Sequence, residues 1–149
     1  MSELMNDPMI LRQIIMDHYQ SPRNHELTHD DTYYTRHMAS DSCIDDIHVE
    51  AKIQNHKIED IRFDGVACTI ATASTSIMSE LLMGKTIDEA NHIIENYHAM
   101  IDGKDYDEDL LEEAVAFHTV GKQANRIKCA TIGWKSMEEM IAESEKNGK

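Results

Sequence analysis

Three cysteines and one aspartate have the side-chain types and the spacing to hold a metal ion. The thiols are Cys43, Cys68 and Cys129, and Asp45 follows the first of them by two residues. Because three is an odd number, the thiols cannot all form disulfides within the chain. Three sulfur atoms and one carboxylate oxygen can complete a tetrahedral site around Zn²⁺ or around the iron of a small cluster. The sequence therefore predicts a metal or reactive-thiol site, with ordinary burial of the cysteines as small apolar residues as the alternative.

Two of the thiols are expected to be reactive because of their positions. Cys68 is predicted to open a helix after the last strand, and Cys129 is predicted to open the last helix. Unpaired N–H groups and the macrodipole at a helix N-terminus stabilise an anion, which lowers the pKa of a thiol. Lys122, Arg126 and Lys128 precede Cys129, and their charges would stabilise its thiolate further. The alternative for these three cations is a solvated basic face.

Other groups that could bind metal give weaker signals. The nine histidines are scattered along the sequence, so we expect most of them at the surface. Residues 102–107 have the composition of a calcium loop but lack the regular ligand positions of an EF-hand. We interpret that segment as a solvated turn.

Three segments predict an antiparallel sheet. Residues 47–53 alternate between apolar and polar side chains, which is the period of a half-buried strand. A turn at Asn55-His56 separates this strand from the next one, at residues 58–63. Residues 33–39 are a candidate edge strand. The sequence thus predicts a meander that precedes most of the helices.

Five segments predict helices. Asp7 before Pro8 is typical of a helix N-terminus, and Thr86 with Glu89 forms a capping-box signature. The predicted helices cover residues 9–20, 69–83, 87–100 and 107–119, and a last one begins near Cys129. Strands followed by helices indicate an α+β fold, in which the helices pack on one face of a three-stranded antiparallel sheet.

Composition limits the classes of function. A chain of 149 residues suits a single domain, residues 1–149, and the net charge of −14 leaves no basic stripe to replace phosphate counterions. We therefore expect neither nucleic acid nor an anionic membrane surface as a partner. No apolar run is long enough to span a bilayer, and the N-terminus lacks the features of a secretion signal. Few, unpaired cysteines favour a reducing, cytoplasmic location.

In these motifs the chain resembles the U-type iron–sulfur cluster assembly proteins, in particular the SufU branch of the IscU/NifU N-terminal family. The resemblance extends over nearly the whole length. Lys128 stands where the scaffold branch usually has a histidine, and the segment between Cys68 and Cys129 is longer than in that branch. Both features favour the SufU branch. The matching segments are residues 15–24, the pair Cys43 and Asp45, and residues 68–74, 84–85 and 126–131.

The resemblance implies roles for the residues that match the family. Cys43, Asp45, Cys68 and Cys129 would bind zinc, or alternatively iron or a [2Fe–2S] cluster. Cys43 would accept persulfide sulfur from a SufS-like cysteine desulfurase, with Cys129 as a second catalytic thiol. Arg126 would help dock the desulfurase, with Lys128 beside it as a further binding residue. Downstream partners would be cluster-assembly proteins or apo-proteins.

The resemblance leaves three functions open. The first is a zinc-dependent sulfurtransferase that works with a cysteine desulfurase. The second is a true scaffold, on which the same four residues hold a [2Fe–2S] cluster before its transfer. The third is a non-catalytic interaction module, suggested by Ile44, which occupies a position where the family usually has glycine.

Overall fold

Five α-helices and one three-stranded sheet form the described part of the chain, residues 7–39 and 44–147 of a computed structural model. This arrangement confirms the predicted α+β fold. The strands are β1 (Tyr34–Ala39), β2 (Asp46–Gln54) and β3 (Lys57–Val66). The helices are α1 (Pro8–Gln20), α2 (Thr69–Leu82), α3 (Ile87–Ile101), α4 (Glu108–Leu111) and α5 (Ala124–Lys146), with short 3₁₀ helices at Glu112–Phe117 and Val120–Lys122.

The sheet is an antiparallel meander in the order β1-β2-β3. The predicted turn between β2 and β3 is confirmed, and both of its residues, Asn55 and His56, have positive φ. Two successive residues with positive φ match the right-handed twist of a hairpin. Alternate residues of β2 are fully buried, as its period predicts, and the helices cover that face, with α5 on β1 and β2 and α2 against β3. The buried set is Ile47, Val49, Ala51 and Ile53.

His18 fastens α1 to the rest of the helical layer. Its ring is fully buried, with Nδ1 2.8 Å from the Ser76 hydroxyl of α2 and Nε2 3.2 Å from a carboxylate oxygen of Glu113. A carboxylate can only accept a hydrogen bond, so Nε2 of His18 carries a proton and donates it to Glu113. The backbone N–H of Arg23 donates to the same hydroxyl oxygen at 2.8 Å. His18 is therefore an exception to the expectation that most histidines lie at the surface.

The predicted helix over residues 107–119 is wrong in its second half. The α-helix ends at Leu111, because Glu112 has φ +47 and breaks the helical path. A 3₁₀ helix follows, and four consecutive apolar residues in it are buried. A run of adjacent buried residues does not give the one-sided stripe of an amphipathic α-helix. The four buried residues of this 3₁₀ helix are Ala114, Val115, Ala116 and Phe117.

The predicted start of the last helix near Cys129 is also wrong, because α5 begins at Ala124. Its N-cap, Gln123, makes no side-chain capping bond. The first turn is polar and almost entirely exposed, so it carries no apolar period that would reveal it. Alanine, arginine and lysine are strong helix formers, and the helix extends through them.

No helix in the described ranges has the length and the apolar character needed to cross a membrane.

Candidate functional site

Asp45, Cys68 and Cys129 converge into one close group of ligand atoms, called the cysteine pocket below. One ligand atom from each residue, the carboxylate oxygen or the Sγ atom, lies within 4.8 Å of the other two. Asp45 and Cys129 are each 2% exposed, and Cys68 is half-buried. The structure therefore brings together three of the four residues that the sequence singled out. The fourth, Cys43, lies outside the described residues.

Asp45 links the residues just before β2 to the start of α2. Its Oδ1 atom accepts the backbone N–H of Cys68 at 2.7 Å, and the Cys68 thiol donates to Oδ2 at 3.8 Å. Cys68 is the N-cap of α2, as predicted, and its Sγ accepts the backbone N–H of Ala71 at 3.4 Å. A sulfur atom thus fills the capping position that an oxygen usually fills. The consequence is a thiol held in one orientation beside a carboxylate.

Cys129 lies more than one turn inside α5, so the prediction that it opens this helix is wrong. The helix-terminus field falls off within the first turn and cannot be the main influence on this thiol. Cys129 reaches the pocket because α5 crosses α2 closely. A Cβ atom placed on Gly133 would lie 2.6 Å from Oγ1, 3.0 Å from Cγ2 and 3.2 Å from Cβ of Thr75. Gly133, one turn after Cys129, therefore sets the distance between the two helices that carry the thiols.

A buried network of polar side chains also stabilises the place where α5 crosses α2. The Ser74 hydroxyl and the Tyr97 hydroxyl each donate to the backbone carbonyl of Ala130, both at 2.6 Å. Ser74 also accepts the indole N–H of Trp134 at 3.0 Å. The rings of Tyr97 and Trp134 stack with 3.8 Å between centroids and 7° between planes. Because Ala130 follows Cys129 directly, these contacts from α2 and α3 fix the backbone next to the thiol.

Burial raises the pKa of the Cys68 thiol, and the carboxylate of Asp45 acts in the same direction. The N–H group of Ala71 and the thiol of Cys129 lower that pKa and only partly offset the burial. The prediction that the helix N-terminus would make Cys68 a ready thiolate is therefore wrong for the protein without a metal. A bound divalent cation would reverse this balance, because a thiol that coordinates a metal is deprotonated.

The donor set fits a borderline or soft metal ion. Two sulfur atoms select zinc or an iron–sulfur cluster over magnesium or calcium, which prefer sites made wholly of oxygen. Zinc in a structural site takes four ligands, so the three residues in the described pocket leave one position for a further ligand. Cys43, two residues before Asp45 in the sequence, has the right chemistry to occupy it.

The basic residues before Cys129 face solvent. Lys122, Arg126 and Lys128 are all exposed, Lys122 just before α5 and the other two in its first turns. This agrees with the solvated basic face that the sequence left as the alternative. The expected docking role of Arg126 and Lys128 stays a prediction.

Sequence reasoning missed the residues that support the pocket. Gly133 in the middle of a helix, far from either end, is the signal that was available, because a glycine in that position often has a packing reason. Ser74, Tyr97 and Trp134 gave no comparable signal, since each looks like an ordinary core residue until the helices are assembled.

Replacing Gly133 with alanine should lower the free energy of unfolding by about 1–3 kcal/mol, the usual result of overpacking. Thr75 is fully buried and β-branched, so it cannot move away from the new methyl group easily. Chemical denaturation measures the change. Lys135→Ala, exposed on the same helix, is the matched control and should stay within about 0.5 kcal/mol of the wild type. A G133A variant as stable as this control would contradict the close crossing.

Comparison with known proteins agrees with the family that the sequence motifs suggested. Residues 10–148 match the family described as NifU-like N terminal domain. The zinc-dependent sulfurtransferase SufU of Bacillus subtilis is 36% identical over 146 residues, which cover 97% of this chain and 98% of that protein. The iron–sulfur cluster assembly scaffold protein IscU of Streptococcus pyogenes is 33% identical over 88% of this chain and 82% of its own.

Solved structures give the same result. A putative iron–sulfur cluster assembly scaffold protein for the SUF system from Fervidobacterium islandicum superposes with a TM-score of 0.78 at 30% identity. The match covers 87% of this chain and 94% of that one. A family match over most of the sequence, together with relatives above 30% identity, places the chain without ambiguity. The chain belongs to the NifU-like N-terminal domain family of iron–sulfur cluster assembly proteins.

Proposed function

We propose that this protein is a zinc-binding sulfur acceptor of iron–sulfur cluster assembly. The observation that carries the proposal is the convergence of Asp45, Cys68 and Cys129, from three separate parts of the chain, within 4.8 Å of one another. The similarity to a protein named as a zinc-dependent sulfurtransferase, over 97% of this chain, supports it. A sulfur donor and a sulfur or cluster acceptor are the partners that this function requires, and the donor we propose is a cysteine desulfurase.

Asp45, Cys68 and Cys129, with Cys43 as the fourth ligand, are the residues that would hold the zinc ion. When bound, zinc keeps its ligand thiols in the thiolate form at neutral pH and protects them from oxidation. The protein supplies the rest of the arrangement. Asp45 fixes the start of α2 through the Cys68 N–H, and the buried network around Ser74 fixes the backbone beside Cys129.

Sulfur transfer to Cys43 is a thiol–disulfide type of exchange. The thiolate of Cys43 attacks the outer sulfur of the persulfide on the desulfurase, and a new S–S bond forms. The S–S bond of the donor breaks, the desulfurase thiolate leaves with the electron pair, and Cys43 carries the sulfur as a persulfide. No external oxidant or reductant is needed. Ile44, the next residue in the sequence, is 68% exposed.

The test is to add the zinc-loaded protein to a cysteine desulfurase and to follow alanine production from cysteine. We expect the rate to rise with the wild type and to fall to the basal rate with Cys43→Ala. His92→Ser, an exposed change on α3, is a control that should stimulate as the wild type does. Absence of stimulation, or equal stimulation by the Cys43 variant, would rule out the proposed transfer.

A scaffold for a [2Fe–2S] cluster is the second candidate. It is favoured by the 33% identity with a protein named as an IscU scaffold and by the structural similarity to a putative SUF scaffold protein. Anaerobic reconstitution with iron and sulfide separates the two functions. A visible chromophore that is stable and passes to an apo-acceptor would favour the scaffold, and a colourless protein with bound zinc would favour sulfur transfer.

A further inference from the structure

Two histidines and an aspartate form a second group of metal-binding side chains on the opposite, solvent-facing side of the sheet. His37 of β1 lies directly across from His48 of β2 in the strand register. Their rings stack with 4.2 Å between centroids and 3° between planes. Asp46 is two residues before His48 on β2, so its side chain lies on the same face. His37 and His48 are eleven positions apart in the sequence, and strand pairing brings them together.

The three side chains already point their ligand atoms at one another. Nε2 of His37 lies 2.6 Å from Oδ1 of Asp46, and Nε2 of His48 lies 3.9 Å from the same oxygen. One ligand atom from each of the three residues lies within 4.8 Å of the other two. The exposed side chains can rotate toward a single ion while the pairing of β1 with β2 and of β2 with β3 holds the backbone of the two strands in place.

The site is open to solvent, unlike the cysteine pocket. The side chains of His37, Asp46 and His48 are each about half exposed, so an ion can enter and leave without any opening of the fold. Asp64 on β3 is the neighbour of His48 on the other side, and it lies 3.3 Å from His25. These carboxylates, in a chain of net charge −14, attract cations to this face.

We propose that His37, Asp46 and His48 bind an exchangeable divalent transition-metal ion at the outer face of the sheet. Two imidazoles and one carboxylate suit zinc, nickel or iron(II), and they leave the remaining coordination positions to water. The cysteine pocket presents two thiols instead, so the two sites differ in ligand softness. This inference does not depend on the proposed sulfur transfer.

Nickel is the appropriate probe, because it takes imidazole ligands and broadens nearby NMR signals. Protein whose cysteine pocket is filled with zinc is titrated with Ni²⁺ while amide spectra are recorded. We expect broadening centred on residues 36–38 and 46–49. His37→Gln and His48→Gln should each weaken Ni²⁺ binding by at least about 10-fold, since loss of even an outer-shell partner weakens metal sites 10- to 100-fold. Asp46→Asn should weaken it in the same direction.

His92→Gln is the matched control, because His92 is also exposed but lies on α3 away from the sheet face. It should bind Ni²⁺ as the wild type does. All four positions are exposed, so the variants should fold, and circular dichroism checks this. Undiminished binding in both histidine variants, or broadening spread evenly over exposed histidines, would overturn the proposed site.

Discussion

Trp134→Ala should lower the free energy of unfolding by about 3–5 kcal/mol, the usual range for truncation of a buried aromatic residue. The indole is fully buried, stacks on Tyr97 and donates its N–H to Ser74. Its removal leaves a cavity between α3 and α5 and takes one donor from the network that fixes Ala130. For a chain of this size the melting temperature should fall by roughly 10 °C. Urea denaturation and calorimetry measure the two quantities.

Trp134→Phe separates the two contributions of the side chain. Phenylalanine keeps an aromatic ring against Tyr97 but cannot donate to Ser74. Loss of one buried hydrogen bond and a modest volume change should lower the stability by about 1–3 kcal/mol, less than the alanine variant. If Trp134→Ala and Trp134→Phe were equally stable, the ring stacking would contribute nothing, and the role assigned to the aromatic pair would be wrong.

Removal of zinc from the cysteine pocket is expected to destabilise the fold strongly. A ligand that binds only the folded state and is present at 1,000 times its dissociation constant adds about 4 kcal/mol. Chelation should therefore lower the melting temperature by roughly 10 °C, as scanning calorimetry would show. Asp45→Ala and Cys129→Ser should each retain little zinc after gel filtration, and chelation should then have little further effect on their melting curves.

The control for this experiment is Asp105→Ala, which removes an exposed acid from a turn outside the pocket. It should keep its zinc and its response to the chelator. Wild-type protein that is purified under reducing conditions without any bound metal would contradict the zinc proposal and would favour the interaction module. A metal-free protein whose melting curve matches that of the loaded one would show that the ion does not stabilise the fold.

Local patterns were enough to predict the sheet and most of the helices. The alternation along β2 and the capping box at Thr86 are properties of adjacent residues, and the structure confirms both. Cys68 was placed correctly at the start of α2 for the same reason. The end of α4 and the start of α5 could not be predicted in this way. The end of α4 depends on the positive φ of Glu112. The start of α5 lies among polar residues and has no side-chain capping bond to mark it.

Neither site could be predicted fully from the sequence, because both depend on contacts between residues that are far apart in the chain. Asp45 and Cys68 are joined by a hydrogen bond across 23 positions in the chain. Residue types suggested that these two residues could share a metal ion with Cys129, and the resemblance to a family supported that grouping. The pairing of His37 with His48 depends on the strand register, and a shift of one residue would send their side chains to opposite faces. The rise in the Cys68 pKa depends on burial, which follows only from the packed helices.

The position of α5 along the chain decides when the donor set of the cysteine pocket becomes complete during synthesis. Cys129 emerges after the whole sheet and four of the helices, and it reaches the other ligands only when α5 has docked on α2. A nascent chain that ends before Ala124 therefore has the sheet but an incomplete set of donors. Docking of α5 on α2 is therefore the step that completes the donor set of the cysteine pocket.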